Sequence, residues 1–203
     1  LKGGGDAIEK STAYHAWRPI LSRLLQLEEA PEDPAERRQF VLSRLQRGGE
    51  VPAQAPLLND ALSLDLPDND LTSQLTGKVR ADNARELFAR LLHEQAIRSP
   101  LVLILDDAHW LDSSSWALAL TVAQRVRPVL LVITTRPLGE PLPSEYRQLL
   151  DSSTTQVMRL ELLSPEETLE LVCQRLEVRS LPVPVARLIR ERAEGHPFYS
   201  EEL

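Results

Sequence analysis

Two adjacent carboxylates, Asp106 and Asp107, are the residues of this chain best suited to chemistry. They follow five consecutive apolar residues, Leu101-Val-Leu-Ile-Leu105, and precede the segment Ala108-His-Trp-Leu-Asp112. Mg²⁺ takes oxygen ligands and is commonly held by one or two carboxylates together with phosphates and waters. One acid at this position can therefore hold the metal, directly or through water, and the other can orient or polarise an attacking water.

The apolar run that precedes these acids predicts the strand that positions them. It is short, is bounded by Pro100, and does not alternate with polar residues, which is typical of a central parallel strand buried on both faces. Ligands of parallel sheets bind beyond the carboxyl ends of the strands, where Asp106 and Asp107 lie. The alternative interpretation is that the two acids only form a polar strand end. For Asp112 we favour a structural role, because Asp followed by three Ser residues offers a helix cap.

Helical and strand patterns alternate along the rest of the first three quarters of the chain. A second buried strand is predicted at 129–133, and the alternation of apolar and charged residues at 156–162 predicts a third strand at the sheet edge. Residues 48–78 are rich in Pro, Asn, Asp and Gly and are predicted to be a surface insertion. Helices are predicted over 17–25, from Pro34 onward, over 82–98, after Asp112 and around 144–150. This order predicts an α/β fold with a doubly wound parallel sheet.

The last forty residues carry only helical patterns, beginning at Ser164-Pro-Glu-Glu167, which combines a Ser cap, Pro at the first position and Glu at the third. We therefore divide the chain into a sheet-containing domain at 1–162 and the start of a helical domain at 163–203. The lone Cys173 lies at helical spacing among apolar residues and is interpreted as a core residue.

Composition excludes several classes of protein. The net charge is −7, from 23 basic and 30 acidic residues, which argues against a surface for direct contact with nucleic acid. The chain has no apolar run approaching the roughly 20 residues of a membrane span, and its amino terminus lacks a signal-peptide pattern. A single cysteine excludes an internal disulfide, so we expect a reducing, cytoplasmic compartment. The 4 histidines are widely spaced and do not form a metal-ligand cluster.

Several segments in order along the chain resemble one protein family. Residues 101–112, Thr134-Thr-Arg136, 164–167 and 195–203 together resemble the STAND branch of the AAA+ ATPases, and residues 12–18 resemble that family's Pro-Tyr-x-x-Trp segment. These are signal-transduction ATPases in large regulators with LuxR-type, TPR or nucleotide cyclase modules. The resemblance implies a P-loop NTPase-type doubly wound parallel sheet, partial in this chain, followed by the start of a helical lid domain.

The resemblance also implies roles for individual residues. Asp106 would bind Mg²⁺, directly or through water, and Asp107 would orient or polarise the attacking water. Arg136 looks like the sensor arginine that meets the γ-phosphate, a task that suits a planar guanidinium because it binds phosphate oxygens in pairs. The alternative for Arg136 is a surface charge after a strand. His109 and Trp110 match the family's His-Trp pair and would have a packing or relay role.

In the tail, Gly195-His-Pro197 resembles the family's Gly-x-Pro element. There Pro197 would start a helix near the nucleotide, and Gly195 and Pro197 would couple ADP to the position of the helical domain. The alternative is purely structural, because a helix stop followed by a helix start uses the same residue types.

One element of the family pattern is missing, the phosphate-binding loop Gly-x-x-x-x-Gly-Lys-[Ser/Thr]. The nearest sequence, Gly4 to Ser11, has Glu9 where the loop needs a glycine, which places a side chain and a negative charge where phosphate must approach. We therefore expect the chain to be a fragment, inactive alone, whose first strand, P-loop and following helix lie upstream of Leu1.

The function that the resemblance implies is an ATP-binding and hydrolysing regulatory switch in a multidomain signalling protein, with ATP/ADP and Mg²⁺ as cofactors. Its partners would be the other domains of that protein and further copies of itself, with no membrane contact. Two alternatives remain open. The first is a nucleotide-free interaction scaffold with the same fold. The second is a fragment of an adenylate or guanylate cyclase in which this module acts as regulator.

Overall fold

The computed structural model describes residues 1–47 and 52–202, which form two compact units, Leu1–Thr155 and Gln156–Leu203. Residues 48–51, at the start of the segment expected to be a surface insertion, lie outside the described residues. The helices of the first unit are α1 (Arg18–Leu24), α2 (Pro34–Arg47), α3 (Gly77–Arg98), α4 (Ser113–Arg125) and α5 (Ser144–Leu150). Those of the second unit are α6 (Pro165–Arg175), α7 (Val183–Ala193) and α8 (Pro197–Glu202).

A parallel sheet in the order β1-β2-β3 lies at the centre of the first unit. Its strands are β1 (Lys2–Gly4), β2 (Leu101–Asp106) and β3 (Val129–Ile133). The central position predicted for the strand that ends in Asp106 is confirmed, and so is the strand over 129–133. In the register, Gly4 lies opposite Asp106 and Leu105 lies opposite Ile133, so all three strands end at one edge.

Among the described residues of the first unit, side chains cover only one face of this sheet. Leu101, Leu103 and Leu105 are buried in the same core as side chains of α3 and α4. Side chains alternate along a strand, and the opposite face carries Val102 and Leu130, which are 48% and 59% exposed. Burial of β2 on both faces was therefore a wrong expectation for the described residues. The structure is an α/β fold with a small parallel sheet, and no helix among the described residues of the first unit covers the second face.

The chain differs from the expected strands at two places. The Lys-Gly-Gly sequence of β1 was not predicted to be a strand, because glycine has low β-propensity, yet it pairs with β2 over its whole length. Residues 156–162 were predicted to form a third strand, but they are not paired in a ladder with any described residue. Their apolar side chains, Val157, Met158, Leu160 and Leu162, are exposed.

The expectation of a surface insertion at 48–78 was also wrong for most of the described part. A 3₁₀ segment, Pro52–Asp60, buries Leu57 and Leu58, which belong to the same core as the sheet. Arg80, near the start of α3, fixes this segment by ion pairs with Asp60 and Asp68, each at 3.0 Å. A polar composition had suggested a loop, but a few buried apolar side chains and the partly exposed ion pairs of Arg80 hold it against the core.

The described residues of the second unit, 156–202, form three helices with a small core. Val172 of α6 packs with Ile189 and Ala193 of α7. The helix start predicted at Ser164 is confirmed, because its hydroxyl accepts from the Glu167 N–H at 3.2 Å and the Glu167 carboxylate accepts from the Ser164 N–H at 2.8 Å. These reciprocal bonds satisfy two of the N–H groups that a helix start leaves unpaired.

Replacing Ser164 by Ala is expected to lower the stability of α6 by about 1 kcal/mol, because one cap bond to the first turn is lost. Amide hydrogen exchange of α6 in the full chain measures this loss. The matched control is Ser180→Ala, which removes an exposed hydroxyl from a loop of the same unit. Equal protection of α6 in the two variants would contradict the capping assignment.

Candidate functional site

Asp106, the last residue of β2, is held by partners from both neighbouring strands. Its Oδ2 lies 2.8 Å from the Nζ atom of Lys2, on β1. Its Oδ1 accepts a hydrogen bond from the hydroxyl of Thr134, which directly follows β3, and a second one from the Asp107 N–H at 3.2 Å. The register explains this set, because parallel strands that end together bring their terminal side chains to one edge.

These contacts keep Asp106 ionised. The hydrogen bond from the Lys2 ammonium and then that from the Thr134 hydroxyl lower the pKa of Asp106 from 3.8 to about 2. In return, the Asp106 carboxylate raises the pKa of Lys2 above its ordinary value. An ionised carboxylate with partly exposed oxygens is the kind of donor that Mg²⁺ prefers.

Asp107 has a fixed backbone and an open side chain. It adopts a left-handed conformation, with φ 48° and ψ 42°, that turns the chain away from the strand direction. The turn is held by two hydrogen bonds, from the Ala108 N–H to the Thr134 carbonyl at 2.8 Å and from the Trp110 N–H to the Asp107 carbonyl at 3.0 Å. The Asp107 carboxylate is 60% exposed, so it is available to a water or a ligand beyond the strand end.

Gly5 lies directly against this turn. Its N–H donates to the Asp106 carbonyl at 2.8 Å. A Cβ atom at Gly5 would lie 2.5 Å from the Asp107 carbonyl oxygen and 2.9 Å from the Trp110 Cβ. No residue with a side chain fits there, so the glycine allows the chain after β1 to pack on the turn that carries Asp107.

Arg136 follows the end of β3 by three residues and is exposed. Its guanidinium makes no ion pair with any carboxylate of the described residues. The structure therefore brings Asp106, Asp107 and Thr134 together. Arg136 follows Thr134 by two residues, but its side chain forms no ion pair with these acids. The phosphate-sensing role of Arg136 stays a prediction.

Gly195 and Pro197 lie in the second unit and have clear structural roles there. Gly195 has a φ of +77°, and a Cβ atom on it would lie 2.5 Å from the Leu163 carbonyl oxygen. The Leu163 N–H donates to the Gly195 carbonyl at 2.8 Å, and Pro197 is the first residue of α8. These contacts explain why a glycine and a proline occur here, and the nucleotide-coupling role remains a prediction.

Sequence reasoning missed two members of the site, Lys2 and Thr134. Thr134 was noted only as part of the Thr-Thr-Arg segment, although its position at the end of the strand beside β2 would have been a usable signal. Lys2 gave no comparable signal, because its strand was not predicted. Among the described residues, no group of three or more His, Cys, Asp and Glu residues could hold a metal ion. Mg²⁺ bound at Asp106 would therefore depend on phosphates and waters for its other ligands.

Replacing Lys2 by Met is expected to raise the pKa of Asp106 from about 2 toward 3.8, because the largest cause of the lowered value is removed. The pKa should stay below 3.8, since the Thr134 hydroxyl still donates. A lowered folded-state pKa stabilises the fold above pH 3.8, and this stability is lost as the pH falls through about 2. Lys2→Met should therefore be less stable than the unsubstituted chain above pH 3.8, and this difference in stability should shrink as the pH falls toward about 2.

A carboxyl ¹³C NMR titration of the full chain measures the pKa of Asp106 directly. Lys2→Arg is the matched control, because arginine keeps the positive charge and should keep the pKa low. An Asp106 pKa that is unchanged in Lys2→Met would mean that the ion pair does not form in solution.

None of the described helices is both long enough and apolar enough to cross a membrane. A search of the solved structures gave no significant match. Among curated proteins, the chain is similar to adenylate cyclase type 10 of mouse and of rat, each 28% identical over 148 residues, and of human, 22% identical over 147 residues. Each match covers 72% of this chain and 9% of the relative, so the chain spans a small part of these proteins.

Two family models match the chain. Residues 164–203 match a domain of unknown function (DUF8739). Residues 1–133, which include β1, β2 and β3 with Asp106 and Asp107, match the model of the AAA ATPase domain. The chain therefore belongs to the AAA ATPase domain family.

Proposed function

We propose that this chain supplies the metal and water side of an ATP-binding and hydrolysing switch in a larger signalling protein. The carboxylate pair at the end of the central parallel strand, Asp106 ionised and Asp107 open to solvent, is the observation that carries this proposal. Membership of the AAA ATPase domain family supports the same reaction class.

In the proposed reaction, a water attacks the γ-phosphorus of ATP and the bond to the bridging oxygen breaks, which gives ADP and phosphate. Asp107 orients the water and accepts a proton from it. Asp106 would hold Mg²⁺, directly or through water, in place of its ion pair with Lys2. When bound, Mg²⁺ neutralises negative charge on the phosphate oxygens. The donor set fits this ion, because both acids present carboxylate oxygens at one strand end.

Two further assignments complete the proposed site. Arg136 contacts the γ-phosphate, a role supported by its exposure and by its position after β3, which runs parallel to β2. Gly195 and Pro197 form the element of the helical domain, proposed to span 163–203, that meets the nucleotide. The start of α8 at Pro197 is compatible with this role.

The phosphate-binding loop is proposed to come from another part of the parent protein. The near match from Gly4 to Ser11 does not have the required structure, because residues 7–14 form bends and turns and no helix starts at Lys10. The described sheet could accept an additional strand, since β3 pairs only with β2 among the described strands. A helix following that strand could cover the open face at Val102 and Leu130.

A nucleotide-free scaffold is the second candidate, and one observation favours it. The negative charge of Asp106 is already balanced by the Lys2 ammonium, which lies 2.8 Å from its Oδ2 atom. Such an ion pair needs no metal ion to compensate the carboxylate. In either case we propose that the parent is a cytoplasmic multidomain regulator whose other domains are the partners. The similarity to part of adenylate cyclase type 10 makes a nucleotide cyclase one candidate for that parent.

The experiment is to measure ATP binding and phosphate release by the full-length parent protein with and without Mg²⁺. We expect Mg²⁺-dependent phosphate release that is lost in Asp106→Asn. The matched control is Asp70→Asn, an exposed aspartate on the segment before α3, which should hydrolyse ATP like the unsubstituted protein. A parent that lacks a Gly-Lys-[Ser/Thr] loop and does not bind ATP would favour the scaffold.

A further inference from the structure

The turn after β2 leaves one polar atom without a partner. His109 is only 11% exposed, and its ring is tilted against that of Trp110, with 4.8 Å between the ring centroids. Its Nδ1 atom is buried and makes no hydrogen bond to any described residue. Buried polar atoms are nearly always paired, since leaving one unpaired costs about 1–3 kcal/mol. The position of His109 therefore points to a hydrogen-bond partner that approaches its Nδ1 in the working protein.

Asp107 is the acceptor within reach. One of its carboxylate oxygens lies 3.8 Å from the His109 Nδ1. A normal N–H···O bond is about 2.9 Å long, so the gap closes by about 1 Å. The exposed side chain of Asp107 can make this movement by rotation about its own bonds, while its backbone is held by the Thr134 and Trp110 hydrogen bonds. The His109 ring, packed on Trp110, has no such freedom and acts as the fixed partner.

We infer that His109 is a positioning residue for Asp107. Its Nδ1–H donates to the Asp107 carboxylate and holds one oxygen, so that the other is directed at the attacking water. The inference rests on the proposed function for the role of Asp107, but the hydrogen bond itself does not depend on nucleotide. It requires neutral imidazole with the proton on Nδ1, a tautomer that is selected by the acceptor beside that nitrogen.

The tautomer can be measured in the 203-residue chain without any nucleotide. With ¹⁵N-labelled histidine, long-range ¹H–¹⁵N NMR distinguishes protonated Nδ1 from protonated Nε2. We expect neutral His109 to carry its proton on Nδ1. In Asp107→Ala the proton should shift to Nε2, because the acceptor is gone.

The chain contains an internal control for this measurement. The Nδ1 atom of His93 accepts from the Arg127 N–H at 3.4 Å, so His93 should carry its proton on Nε2. It should not respond to Asp107→Ala. If His109 also carries its proton on Nε2, or if its signals do not respond to Asp107→Ala, the inference is overturned, whether or not the parent hydrolyses ATP.

The functional consequence is measured in the full-length parent. His109→Phe keeps an aromatic ring against Trp110 but removes the donor, and we expect kcat to fall by about 10-fold with little change in KM. His109→Asn restores a side-chain N–H and should recover part of kcat. An equal loss in both variants, with an equal loss of stability, would reduce His109 to a packing role. A parent that never hydrolyses ATP would instead contradict the proposed function, and the tautomer measurement would still decide the inference.

Discussion

Replacing Asp107 by Asn in the full-length parent is expected to slow ATP hydrolysis by about 10²- to 10⁴-fold, the range for loss of a general base. Asparagine is nearly the same size but cannot accept a proton from the attacking water. Binding of ATP should change little, because the Asp107 side chain is open to solvent and is not assigned to hold the phosphates. Phosphate release and equilibrium binding of ATP, measured on the same preparation, separate the two effects.

The left-handed turn at Asp107 helps this comparison, since asparagine tolerates a positive φ about as well as aspartate. Lost hydrolysis therefore cannot be attributed to backbone strain. Asp70→Asn controls for the loss of one negative charge. An unchanged hydrolysis rate in Asp107→Asn would remove this residue from the mechanism.

Replacing Gly3 by Ala is expected to destabilise the chain by about 3 kcal/mol, at the upper end of the cost of overpacking. A Cβ atom on Gly3 would lie 1.8 Å from the carbonyl oxygen of Ala16, a distance that no small side-chain adjustment can relieve. Ala16 is itself buried, so either β1 or the turn before α1 must move. Guanidinium unfolding of the full chain measures the change.

The next residue of the same strand provides the control. A Cβ atom on Gly4 would meet its nearest neighbour, the Asp106 carbonyl oxygen, at 3.4 Å, which is an ordinary contact. Gly4→Ala should therefore cost far less than Gly3→Ala, although both variants change strand propensity alike. Equal unfolding midpoints for the two variants would show that β1 is not packed on Ala16 as described.

The parts of the fold that the sequence predicted well are those with local signals. An apolar run that ends in polar residues indicated the strands at 101–106 and 129–133, and both are present. Asp112 was expected to cap the next helix, and its Oδ1 accepts from the Ser115 N–H at 2.9 Å. Such signals depend only on residues that are close in sequence, so they can be recognised without knowledge of the tertiary structure.

The two errors about strands arose from pairing, which is not local. β1 has the composition of a loop but lies beside β2, where its backbone groups complete a ladder. Residues 156–162 have the alternation of a strand, but no described residue pairs with them. Strand propensity mainly measures fit to neighbours, and a single sequence does not say which neighbours are present.

The residues of the candidate site also divide into those with a local sequence signal and those without one. Asp106 and Asp107 could be identified because they end a recognisable strand. Lys2 and Thr134 became visible only when the register brought three strand ends together. His109 was expected to have a packing or relay role, and only its burial beside Asp107 indicated which atom could act.

The central position of β2 has a consequence for the dynamics of the site. Its backbone is bonded to β1 on one side and β3 on the other, and its inward side chains lie in the core. Local unfolding begins where a segment has few such bonds and contacts, so β2 belongs to the last part of the unit to open. We therefore expect Asp106, and Asp107 directly after it, to keep their backbone positions when less tightly packed segments of the unit open locally.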